Sequence, residues 1–196
     1  WSENINNYKE SLYRYLDSNF NNSSLEDDLL RNINKLLLIK KKNIYLSKAN
    51  YSLFRIKFIQ SIIKNSHFII CIRNPDDVIN SSIRTHKKFE EMDKKNNTFS
   101  EEMSELCHFE FGVNRIGIIE RSNCLNDYDY YLKHWIKIHK LILKEYKDMQ
   151  NVYLINYEKF ISDPKKTFSI IEKKLKIESS ISVNKFIEKT IKIKNF

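Results

Sequence analysis

The chain has 196 residues, 41% of them hydrophobic and 13% aromatic, with 34 basic against 25 acidic side chains and a formal net charge of +9. That length and apolar content allow one domain, residues 1–196, with a substantial core, and exclude a disordered polymer. No apolar run approaches the roughly 18 residues of a membrane span and no signal peptide stands at the start, so no membrane span is expected.

The basic excess suits an anionic ligand. It is mostly lysine, scattered apart from Lys40-Lys41-Lys42, and no motif interleaves aromatic with basic residues, so nucleic acid is not an expected partner. The three cysteines, Cys71, Cys107 and Cys124, show no paired metal-site spacing. No metal is expected, and the setting is expected to be reducing and cytoplasmic.

In chain order, residues 1–20 carry Tyr8, Leu12, Tyr15 and Leu16 at helical spacing. Ser24 with Asp27 has the form of a capping box, and Leu25, Leu29, Ile33, Leu36 and Leu37 predict an amphipathic helix up to Lys40. Ile44-Tyr45-Leu46-Ser47 predicts a short strand ending at Lys48. Leu53, Ile56, Ile59 and Ile63 predict a helix over 52–64.

Phe68 to Ile72 is continuously apolar, the pattern of a strand buried on both faces, with Cys71 in the core. It ends at Arg73. Asn74 then suits a helix cap, Pro75 the first position, and Asp76 and Asp77 the first turn, where the helix dipole favours acids. Arg73 therefore sits at the carboxyl end of a strand, where open α/β sheets bind ligands, and Ser81 about two turns into the helix. A guanidinium fork and a hydroxyl could converge there on one anion.

Residues 87–101 are polar and charged and predict a mobile loop at the edge of the site. His108-Phe-Glu-Phe-Gly112 is a compact aromatic segment, expected either to face the ligand or to close a turn at Gly112. A helix over 128–149 is predicted to show Leu132, Trp135, His139, Ile142, Leu143 and Tyr146 on one face. Val152 to Asn156 predicts a further strand running into Tyr157-Glu158, and Ser162-Asp163-Pro164 opens a last helix.

Arg73-Asn-Pro-Asp-Asp-Val-Ile-Asn-Ser81 resembles the 3′-phosphate-binding motif of sulfotransferases, an Arg-x-Pro-x-Asp followed by a Ser eight residues after the Arg. Two flanking segments resemble the same family in order. Lys48 to Ile56 is similar to its Lys turn with an Arg-Ile seven residues on, and Tyr157-Glu158 with Asp163-Pro164 to its Tyr-Glu-Asp segment and following Pro. The resemblance covers roughly residues 44–177. It implies a three-layer α/β fold with a short parallel sheet flanked by helices, of the P-loop NTPase-like kind. It implies as donor 3′-phosphoadenosine 5′-phosphosulfate (PAPS), held by Arg73 and Ser81 at the 3′-phosphate and by Tyr157 at the adenosine. Lys48 would act on the sulfuryl group, with strands 44–47, 68–72 and 152–156 side by side.

Two departures qualify that picture. The family's Gly-rich loop for the 5′-phosphosulfate has no counterpart, since Gly112 and Gly117 both follow the Arg73 motif, so a fragment lacking that strand and loop is expected. Two residues after the Lys, where cytosolic members carry a catalytic His, stands Asn50, which cannot act as a base. This points to a carbohydrate or protein acceptor, with the base a Glu at or before residue 3. His86, His108 and Glu110 are weaker substitutes. Other expectations the motifs allow are a non-catalytic module binding adenosine bisphosphate, or a P-loop kinase relative.

Overall fold

The computed structural model describes residue 19, residues 23–106 and 108–178, and residues 183, 185 and 186. The helix expected over 1–20 lies outside them apart from Asn19. The chain divides into two compact units, Trp1–Ser66 and His67–Phe196.

In the first unit, α1 spans Ser23–Lys40, two residues earlier than the capping box suggests, so Ser24 lies in its first turn. Its leucine stripe is at most half-buried. The helix ends where Lys41 takes a left-handed φ of 50° and the amides of Lys41 and Lys42 bond back to Leu38 and Leu37. The strand expected over 44–47 is absent: these residues pair with no other segment among the described ones, and Leu46 is 90% exposed. Local apolar character favours an extended chain, but a strand exists only through a ladder partner. A 3₁₀ turn, Asn50–Arg55, runs into α2, Ile56–Ile62, where the sequence predicts one helix. Phe54, Ile56 and Phe58 are buried.

In the second unit, β1 (Phe68–Ile72) pairs in parallel with β2 (Val152–Asn156), in a register that sets Phe68 opposite Val152 and Ile72 opposite Asn156. This short parallel sheet is flanked by helices: α3 (Pro75–Lys95), α4 (Phe99–Glu105), α5 (Asp127–Glu145), α6 (Tyr157–Ser162) and α7 (Pro164–Leu175). A core cluster of Ile79 from α3 with Tyr130 and Tyr131 from α5 is joined by Ile83, Phe111, Ile119 and Leu132. Among the described residues no helix is long and apolar enough to cross a membrane.

Three expectations are corrected. β1 is not buried on both faces: Ile69 is 42% exposed and Cys71 is an exposed free thiol, in a sheet that has two strands among the described residues. The loop expected over 87–101 is mostly helix, the second half of α3 followed by α4. Its charges are those of a solvated helix face, with Glu90 and Glu91 each four residues before a Lys, and Phe89 anchors it against Phe99 and Phe111. In α5 the buried residues are Tyr130, Tyr131 and Ile142, while Leu143 is 57% exposed. The aromatic segment ends in a turn at Gly112, whose φ of +85° only glycine adopts without strain.

A candidate anion site at the carboxyl end of the sheet

Because β1 and β2 run parallel and end in register at Ile72 and Asn156, the next residues of each strand, Arg73 and Tyr157, emerge side by side. The Arg73 guanidinium carbon lies over the Tyr157 ring, 4.7 Å from its centroid, a cation–π contact. Its Nη2 is 3.3 Å from Asp77 Oδ2 in the first turn of α3. Its Nε is buried without a hydrogen-bond partner.

Ser81 follows Asp77 by four residues on α3, so it continues the stripe on which Asp77 meets Arg73, about 6 Å further along the axis. It is half-buried, and its carbonyl accepts from Thr85 Oγ1 at 3.0 Å.

The turn that carries Arg73 is tied from three sides. Asn74 caps α3 by accepting from the Asp76 amide at 2.9 Å. Its own amide donates to Glu158 Oε1 at 2.8 Å, joining the β1–α3 turn to the first turn of α6. Tyr128 at the start of α5 donates to Asp76 Oδ1 at 2.6 Å, which raises the Tyr128 phenol above its ordinary range. Glu158 is exposed, and the Asn74 amide, then its own amide, with a smaller part from the Arg73 charge and the Asn156 side chain, hold its carboxyl below the usual range. Asn156 in turn caps α6 through the Lys159 amide at 2.8 Å.

Arg73, Tyr157 and the stripe bearing Ser81 thus share one end of the sheet. Lys48 belongs to the first unit, exposed on the irregular segment before the 3₁₀ turn, so no strand end carries it. Of the substitute bases, His86 is 3% exposed and engaged at both nitrogens: Nδ1 accepts from the Gly112 amide at 3.0 Å and Nε2 lies 3.3 Å from Glu90. Burial, then the Arg115 charge, lowers its pKa. His108 is exposed, 3.8 Å from Glu110. Sequence reasoning missed the contact of Glu158 with Asn74. The one available signal was its place next to Tyr157 at a strand end, from which a tie to its own following turn is the natural expectation.

A family model described as a sulfotransferase domain matches residues 2–195. It carries the general reaction, transfer of a sulfuryl group from a small-molecule donor to an acceptor. No curated protein and no solved structure matches the chain.

Proposed function

The chain belongs to the sulfotransferase domain family, and on that premise we propose that it moves a sulfuryl group from PAPS to a hydroxyl or amine of a carbohydrate or protein acceptor. The observation that carries this reading is the Arg73 guanidinium lying over the Tyr157 ring at the carboxyl end of paired parallel strands, with Ser81 about one turn beyond Asp77 on α3. A guanidinium and a hydroxyl on one line suit the 3′-phosphate, and the Tyr157 ring suits the adenosine portion. The extent of the match supports treating residues 1–196 as one domain of this kind. A reducing, cytoplasmic setting goes with the same reading.

In the reaction the acceptor oxygen or nitrogen attacks sulfur in line. A bond from sulfur to the acceptor forms as the bond from sulfur to the 5′-phosphate oxygen breaks, the acceptor proton passes to a base, and adenosine 3′,5′-bisphosphate departs. Negative charge grows on the bridging oxygen, and Lys48 is the cation assigned to it. Asn50 leaves the base to a residue elsewhere, in this reading a Glu at or before residue 3.

Arg73→Ala is expected to weaken adenosine 3′,5′-bisphosphate binding by about 1.5–3 kcal/mol, measured by titration calorimetry, and unchanged affinity would sink the anion-clamp assignment. The irregular segment around Lys48 favours one further reading, a module that binds the nucleotide without catalysis. Lys48→Ala separates the two: as a catalytic group its loss lowers turnover far more than bisphosphate affinity, and equal losses make it a binding residue.

A further inference from the structure

Glu158 stands outside the groups that would touch the donor, yet its carboxylate accepts a hydrogen bond that joins the turn after β1 to the turn after β2. The two strands are held in register by their ladder up to Ile72 and Asn156. Beyond that point Arg73 and Tyr157 leave the sheet on separate turns, each capped at its own helix start, by Asn74 on α3 and by Asn156 on α6. The bond from the Asn74 amide to Glu158 Oε1 closes that gap one residue past Arg73 on one side and one residue past Tyr157 on the other. A guanidinium attached to a pivoting turn would reach a phosphate only after losing that freedom on binding, whereas one braced on both sides has lost it already.

We propose that Glu158 is a positioning residue, which by bridging the two strand-end turns holds Arg73 over the Tyr157 ring and so sets the preference of the site for a 3′-phosphorylated adenine nucleotide. This rests on the donor reading above. The Asn74 donor is a backbone amide, so any acceptor of the right length at 158 serves. A glutamine keeps the bond, an alanine removes it, and an aspartate falls one methylene short. The negative charge of Glu158 is not what acts, since it would repel a phosphate.

Calorimetric titration of the whole chain with adenosine 3′,5′-bisphosphate and, separately, adenosine 5′-monophosphate tests the assignment. Glu158→Ala is expected to weaken bisphosphate binding about tenfold while leaving the monophosphate nearly unchanged, as loss of orientation at one charge-assisted contact predicts. Glu158→Gln is expected to bind both as the unaltered chain does. In an Arg73→Ala background the further change Glu158→Ala should cost nothing more, because the residue acts through Arg73. Where Glu158→Ala does not fold, Glu158→Asp takes its place. Equal weakening toward both nucleotides, or full additivity with Arg73→Ala, overturns the positioning role and leaves the sulfotransferase reading intact. An unaltered chain that fails to distinguish the two nucleotides overturns both.

Discussion

Asp77 holds Arg73 at 3.3 Å, and in the donor reading proposed above a phosphate would compete with that carboxylate for the same fork. Both side chains are well exposed, so the pair contributes little to folding, on the order of 0–1 kcal/mol. Its effect on binding is larger, since a carboxylate near a phosphate site repels the ligand as well as occupying the cation. Asp77→Asn keeps a first-turn polar group and is expected to tighten adenosine 3′,5′-bisphosphate binding by roughly threefold to tenfold with little change in Tm. Weaker binding would mean that Asp77 orients Arg73 rather than competing for it. At this scale the sequence was most readable: the cap at Asn74 and the acids after Pro75 follow from residue types whose local chemistry has one good arrangement.

At the scale of elements, legibility depended on whether the decision was local. β1, β2 and the starts of α3 and α7 lie where their residues place them, because apolar runs and capping pairs carry their own signal. The segment 44–47 failed as a strand because pairing is decided by another segment, and residues 87–95 were missed as helix because polarity marks a solvated helix face as well as a loop. The tyrosines at the start of α5 were overlooked for a related reason: the stripe through Trp135 and Ile142 is regular, but the core gathers on Tyr130 and Tyr131, where the segment 115–119 crosses the helix. That crossing can be tested at Gly117. A methyl group there would run into the hydroxyl of Tyr130, which is 3% exposed and cannot easily move aside. Gly117→Ala is expected to destabilise the chain by about 1–3 kcal/mol, and Tyr130→Phe, by removing the clashing oxygen, to restore part of the loss in denaturant unfolding. A neutral Gly117→Ala would contradict the close packing of this segment.

For the molecule as a whole, the burial of His134 adds to the response to acid. Burial, with a smaller part from Lys137, lowers His134 from 6.5 to about 4. Between those values the unfolded chain binds a proton at this position that the folded chain refuses. Stability is therefore complete above pH 6.5 and falls as the pH drops toward 4, by up to about 3 kcal/mol from this group. His134→Gln is expected to flatten the difference between unfolding free energies measured at pH 7 and pH 5, and an unchanged difference would assign the acid sensitivity to other groups.

The hydrogen bond between Asn74 and Glu158 spans 84 residues of sequence. At about 5–20 residues per second of synthesis, β1 therefore waits on the order of 10 s for its only described partner to be made. During that interval Phe68–Ile72 is an unpaired, uncharged strand, the kind of segment that recruits other chains. Closing so long a loop also places the pairing late in folding, since its entropy must be spent before the ladder returns anything. Nascent chains of this protein thus carry Phe68–Ile72 without its ladder until β2 arrives, and the event that pairs the strand also brings Arg73 over Tyr157.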